Sequence, residues 1–142
     1  MALFTAAEHL SGDNLWSCPK CRCHRSAVKK FDIWSLPDVL IIQLMRFSYR
    51  GGYREKLDVP IDYPIRSLDM SQYMTHNDGS NIYDLIAVSD HFSERLETGC
   101  YTAYARDYRT GSWHHYKDRE VSEASEQDVV SGSAYVLFYK RR

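Results

Sequence analysis

An α+β domain of mostly antiparallel strands with two short helices is the fold class the sequence predicts. Tyrosine occurs 11 times and crowds into short runs such as Tyr101 to Tyr108 and Tyr135 to Tyr139, where aromatic side chains suit a pleated, half-buried surface better than a helix. Strand-like runs recur between turn signals along the chain, and helical spacing is confined to two short stretches. A chain of 142 residues matches one domain with one core and can bury roughly two-thirds of its unfolded surface. No internal repeat, low-complexity tract or linker interrupts it.

Taken in order, Leu3, Phe4, Ala7 and Leu10 fall on one helical face, and Ser11-Gly12 stops the pattern, which predicts a short opening helix. A cysteine knuckle follows. Ala27 to Trp34 and Val39 to Phe47 read as strands separated by Leu36-Pro37-Asp38. In the second, Val39, Ile41 and Phe47 point one way and Leu40, Ile42 and Leu44 the other, so both faces are apolar, as in a central strand forming the spine of the sheet. Gly51-Gly52 marks a turn, Lys56 to Tyr63 reads as a strand, and Ser71 to Ser80, with Asn77-Asp78-Gly79, reads as a surface loop. The remaining strands are Tyr83 to Asp90, Cys100 to Tyr108, Ser112 to Lys117 and Ala134 to Tyr139. A tight turn near Thr110-Gly111 joins the middle two, and Ser125 to Val130 suits a helical turn.

Composition excludes several function classes. The apolar share of 44% and charged share of 26% are those of an ordinary globular protein, which argues against disorder, collagen and membrane. A net charge of −1, with Lys and Arg scattered except at Lys140-Arg141-Arg142, leaves no basic field for phosphates, so nucleic acid is not an expected partner. Met1 to Leu10 lacks the basic and long apolar regions of a signal peptide, and no stretch approaches the ~18 apolar residues of a membrane span. An intracellular protein of the cytoplasm, the nucleus or both is expected.

Cys18, Cys21 and Cys23 lie within six residues of one another, a spacing poor for mutual disulfides and natural for a metal knuckle in a reducing compartment. Cys18-Pro19-Lys20-Cys21 has the tight turn that lets two thiolates grip one zinc, but structural zinc wants four ligands. Cys23 or His24 is a local candidate to complete the set, although adjacent side chains rarely converge on one metal. Two idle thiols are the alternative. Cys100 stands alone.

Trp16-Ser17-Cys18-Pro19-Lys20-Cys21, followed by Lys29-Lys30-Phe31-Asp32-Ile33-Trp34-Ser35-Leu36-Pro37, is similar to the finger-to-palm passage of ubiquitin-specific proteases. Val39-Leu40-Ile41-Ile42 through Arg46-Phe47 resembles their leucine-rich strand, and Tyr83-Asp84-Leu85-Ile86-Ala87-Val88 their next. Tyr101-Thr102-Ala103-Tyr104 resembles the strand after their catalytic histidine, and Ala134-Tyr135-Val136-Leu137-Phe138-Tyr139 their closing strand. Five ordered blocks over nearly the whole chain carry the resemblance, where any one would be a weak motif.

The resemblance implies a papain-like cysteine protease fold of thumb, palm and fingers, which cuts after the C-terminal glycine of ubiquitin with a Cys-His-Asp/Asn triad. It implies a C-terminal half, with residues 1–35 a partial zinc-ribbon finger and 36–142 the palm. The family's Cys box has no match here, so the thumb half that carries the nucleophile is expected to be missing. In family members a second Cys-x-x-Cys from the preceding finger strand completes the zinc site.

A thiol protease needs an imidazole to take the thiol proton and later return one to the leaving amine, work worth about 10²–10⁴ in rate. The family supplies it from Gly-Gly-His-Tyr, and the matching passage is Thr98-Gly99-Cys100-Tyr101, so Cys100 holds the histidine position. One sulfur cannot hold a nucleophile on one side and an orienting carboxylate on the other, as two ring nitrogens do. The family's Asp or Asn after Trp-Tyr-x-Phe corresponds to Lys117 in Trp113-His114-His115-Tyr116-Lys117, and Asp118 follows one residue later. Strand neighbours face opposite ways, so Asp118 takes over only with a register slip or a bulge.

The plain alternative for Cys100 is a small buried thiol; the sharper one is a reactive thiol whose thiolate Lys117 favours. His91, His114 and His115 are the local candidates for a replacement base, with a surface or hydrogen-bonded role as the bland alternative; His91 most resembles the family's structural histidine. His9 and His76 carry less information. Gln43-Leu44-Met45-Arg46-Phe47 departs from the family's His-Leu-Lys-Arg-Phe. Three functions follow: an inactive scaffold that binds ubiquitin or ubiquitinated proteins, part of an active deubiquitinase whose nucleophile lies elsewhere, or a zinc-linked interaction module.

Overall fold

The computed structural model describes residues 1–50, 53–57, 59–76, 79–92 and 99–142, without the side chains of 49, 50 and 53–55. The expected Gly51-Gly52 turn, and Asn77-Asp78 of the expected loop, lie outside the described residues. The chain divides into two compact units, Met1–Leu36 with Met70–Gly79, and Pro37–Asp69 with Ser80–Arg142.

The first unit holds two small antiparallel ladders. Strand β1 (Glu8–Leu10), β2 (Trp16–Ser17), β3 (His24–Arg25) and β4 (Ala27–Lys29) pair as β1 with β4 and β2 with β3. The expected opening helix does not form. Ten residues are too few for an isolated helix to repay its nucleation, and Glu8 to Leu10 instead pair with Lys29 to Ala27. The strand expected from Ala27 to Trp34 stops at Lys29, and Ile33 makes a single bridge to Met74. Phe4 stacks on Phe31 with ring centroids 5.8 Å apart. Of the expected surface loop, Ser71–Tyr73 forms one 3-10 turn.

The second unit is built from β5 (Val39–Gln43), β6 (Phe47–Arg50), β7 (Tyr53–Lys56), β8 (Leu68–Asp69), β9 (Ile82–Phe92), β10 (Cys100–Arg106), β11 (Trp113–Lys117), β12 (Glu120–Ala124), helix α1 (Glu126–Val129) and β13 (Ala134–Arg141). Among the described residues, seven strands form one antiparallel sheet in the order β12-β11-β10-β9-β13-β5, with β8 beside β9 and β6-β7 a separate hairpin. The strands beginning at Ile82, Cys100, Trp113 and Ala134 match their expected positions, and Gly111 closes the expected turn at φ 75. Strand β12 was not foreseen: Glu120-Val121-Ser122-Glu123-Ala124 is polar in alternation and carries few strand formers.

The apolar strand at Val39 is not the spine. It pairs with β13 on one side and forms the sheet edge, with Val39 44% and Ile41 59% exposed. Apolar residues on both faces say only that both faces suit burial; the ladder neighbours are set by the chain path. The spine is β9 with β13. Two bulges keep it in phase: Phe138 faces Ala87 but Tyr139 faces Leu85, and Ala134 faces Asp90 but Val136 faces Ser89. Ile86 and Tyr135 are therefore extra residues, each of which flips strand parity. Tyr83 and Leu85, then Val88 and Asp90, consequently all turn inward with Leu137 and Tyr139. Each such buried Leu or Val contributes roughly 1.5–3 kcal/mol.

The strand expected from Lys56 to Tyr63 ends at Lys56. Pro60 has no N–H to give a ladder, and the next carbonyls are taken by Arg46. That side chain is 2% exposed; its Nη1 donates to the oxygens of Leu57 at 3.0 Å and Val59 at 2.9 Å, and its Nε to Ala134 O at 2.5 Å. Tyr63, itself buried, donates to Val129 O at 2.7 Å, which anchors α1. Burial pushes the Tyr63 phenol up to about 12. The carboxylate of Asp128 accepts from Ser125 N at 2.8 Å and Ser125 Oγ at 2.6 Å, which closes the first turn of that helix.

Candidate functional site at the start of strand β10

Cys100 is the first residue of β10 and pairs with Phe92. It is exposed, so of the two alternatives for this thiol the buried one does not hold. Tyr101 pairs with His91, Thr102 with Asp90, and Tyr104 with both Val88 and His115. Side chains alternate across a strand, so Cys100, Thr102 and Tyr104 share one face, with Asp90 and His115. Tyr101 and Ala103 lie on the other, with His91 and His114.

This parity decides what each imidazole can do. His91 is 4% exposed and boxed by rings, with centroids 4.8 Å from Tyr101, 5.5 Å from Phe47 and 5.8 Å from Tyr135. Its carbonyl accepts from Lys56 Nζ at 3.2 Å. Gly99 lies so close that a Cβ there would run into His91 Nε2. His91 is therefore a core residue on the face opposite Cys100, and Gly99 is required by its bulk. His114 pairs with Ala105 and also lies on that opposite face. His115 shares the face of Cys100 but stacks on Tyr104 at 4.6 Å. Four residues of strand, ~13 Å at ~3.3 Å each, separate that level from Cys100.

Lys117 ends β11 and pairs with Glu120. It follows the Ala103–Tyr116 pair by one residue, so it stands level with Thr102 on the face of Cys100. Among the described residues no hydrogen bond or ion pair joins Lys117 to Cys100. Asp118 sits in the two-residue turn between β11 and β12 at φ 52, a conformation that Asp tolerates better than most residues. It is exposed and belongs to the turn rather than to the sheet face.

Asp90 is the unforeseen charged residue of this face. It is 1% exposed, accepts from Ser131 Oγ at 3.0 Å, and burial pushes its carboxyl up. Its Oδ2 and the Oγ1 of Thr102, directly opposite, have no partner among the described residues. Sequence alternation could have marked Asp90 as inward, but the bulge at Ile86 reverses the parity that such a reading uses.

The thiol knuckle is set by the β2–β3 hairpin. Cys18 N donates to Cys23 O at 3.0 Å, and Arg22 N donates to Cys18 O at 2.8 Å. The Cys21 and Cys23 sulfurs lie 3.2 Å apart, and Arg25 Nε donates to Cys23 Sγ at 3.3 Å. That guanidinium, with the Cys21 thiol, holds Cys23 below the ordinary thiol range, and the contacts with Cys23 and Cys18 push Cys21 up. His24 pairs with Ser17 and is exposed. Among the described residues no three His, Cys, Asp or Glu side chains form a ligating set, so the knuckle offers fewer than the four donors of a structural zinc site. His76, in the same unit, stacks on Trp34 at 5.4 Å. No described helix is long and apolar enough to cross a membrane.

Residues 9–139 match the family model for ubiquitin carboxyl-terminal hydrolase. The chain belongs to the ubiquitin carboxyl-terminal hydrolase family. It is 46% identical over 141 residues to ubiquitin carboxyl-terminal hydrolase 4 of Mus musculus and 48% identical over 141 residues to ubiquitin carboxyl-terminal hydrolase 15 of Homo sapiens, each match covering 99% of this chain. It spans 15% and 14% of the length of those relatives. Among solved structures it resembles a chain of the SAGA DUB module of Ubp8, Sgf11, Sus1 and Sgf73 bound to monoubiquitin, with TM-score 0.80 and 33% identity over 99% of this chain and 31% of that one. A chain of the same module bound to ubiquitin aldehyde matches with TM-score 0.80 and 33% identity, over 99% of this chain and 32% of that one. The ubiquitin carboxyl-terminal hydrolase sheet is thus the frame in which Cys100 and Lys117 are placed.

Proposed function

We propose that this chain is a palm and partial finger region of a ubiquitin carboxyl-terminal hydrolase that binds ubiquitin or ubiquitinated proteins and does not cleave them. The observation that carries the reading is the position of Cys100. It opens β10 on a face where the nearest imidazole level, that of His115, is four strand residues away. His91 and His114 lie on the other face. A base must reach within about 2.6–3.2 Å of the proton it takes, whereas strand parity turns His91 and His114 away from the Cys100 face and His115 stands at the level of Tyr104.

Ubiquitin binding is supported by the likeness to chains of modules bound to monoubiquitin and to ubiquitin aldehyde. A thumb half bearing the nucleophile is the second partner of this reading. Cys18 and Cys21 would supply two thiolates to a structural zinc, which would tie the knuckle to another pair of donors and take no part in bond cleavage.

The test joins the chain to a family segment that carries a Cys box and follows release of a fluorophore from the ubiquitin C-terminus. The chain as found is expected to be silent, and Cys100→His with Lys117→Asp to show turnover. Turnover by the unaltered chain would establish the rival reading of an active deubiquitinase. In parallel, ¹⁵N-labelled ubiquitin is titrated with the chain; unchanged ubiquitin resonances would leave only a zinc-linked interaction module.

A further inference from the structure

We propose that Cys21 and Cys23 form a peroxide-oxidisable dithiol, a modification site that shares Cys21 with the Cys18–Cys21 pair to which the zinc reading assigns metal. The two sulfurs already touch at 3.2 Å. A disulfide needs ~2.05 Å, so closing the bond takes a movement of about an ångström, within what side-chain rotation supplies in an exposed turn.

The backbone explains why these two sulfurs meet. Arg22, between them, adopts the left-handed region at φ 53, and its N–H is tied to Cys18 O at 2.8 Å. The chain reverses at that residue instead of passing through as an extended strand, which turns the flanking side chains toward each other. Arg25 Nε then fixes the Cys23 sulfur on the Cys21 side. Cys21 is exposed and Cys23 half-buried, so a small oxidant reaches the pair.

The chemistry balances with hydrogen peroxide as oxidant. One sulfur attacks a peroxide oxygen, the O–O bond breaks, and a sulfenic acid and one water result. The second sulfur then displaces the hydroxyl, giving a disulfide and a second water. Two thiols lose two electrons and two protons, and the peroxide gains them. A thiol reductant reverses the step. Oxidation withdraws Cys21 from any metal, so the knuckle would lose one of its two proposed zinc ligands.

Trypsin distinguishes the possible pairs, because cleavage after Lys20, Arg22 and Arg25 places Cys18, Cys21 and Cys23 in three separate peptides. The full chain is held in chelator, so that the outcome does not depend on the metal reading. It is treated with one equivalent of hydrogen peroxide, alkylated, digested without reductant and weighed by mass spectrometry. The expected product is Cys21-Arg22 joined to Cys23-His24-Arg25, lighter by two hydrogens than its reduced parts and split by dithiothreitol. Cys23→Ser is expected to abolish it while circular dichroism stays unchanged. Three free thiols, or a peptide joining Cys18 to Cys21 as the main product, would overturn the proposal.

Discussion

Replacing Asp90 by Asn should stabilise this chain, and the gain should grow with pH. Asp90 is 1% exposed and keeps one hydrogen bond, from Ser131 Oγ at 3.0 Å. Asparagine retains that acceptor and carries no charge, so the burial penalty on the ionised carboxylate is removed. Leaving one charged group buried and under-satisfied costs about 1–3 kcal/mol, and at ~2–4 °C per kcal/mol for a chain of this size its removal should raise the midpoint of thermal unfolding by about 2–12 °C at neutral pH. Burial raises the folded-state value of this carboxyl. Below the unfolded value of ~4 the carboxyl is protonated in both states and carries no charge penalty. As pH rises from there through the raised folded value, the unfolded state releases the proton first and the native chain loses stability. Circular dichroism melts of both proteins from pH 4 to 8 give the difference directly. A difference that is negative at neutral pH, or flat across that window, would refute the assignment of Asp90 as a buried, under-satisfied carboxylate.

Arg46→Met should lower stability by about 3 kcal/mol or more, because three backbone carbonyls lose a charged donor; urea unfolding measures it, and a loss under about 1 kcal/mol would show that water replaces the guanidinium. Gly99→Ala should cost about 1–3 kcal/mol through overlap with the buried His91 ring. Paired with His91→Ala the cost of the alanine should largely vanish, and an additive double mutant would deny the contact.

Local pattern made legible the strand positions at β9, β10, β11 and β13, the hairpin turn at Gly111, the helical turn after Ser125 and the thiol knuckle. These are matters of alternation, turn chemistry and residue type, all readable within about ten residues. Tertiary structure decided the rest. Arg46 is made a hub by Ala134, 88 residues away, and no local period announces such a partner. The bulges at Ile86 and Tyr135 shift which residues turn inward, and only the ladders reveal them. Pairing with Ala27 to Lys29 overrode the helical spacing at the start of the chain, and the sheet order put the apolar Val39 strand at an edge. Residue type records how a side chain treats water; which side chains meet depends on where distant parts of the chain cross, and that is fixed only when the whole sheet closes.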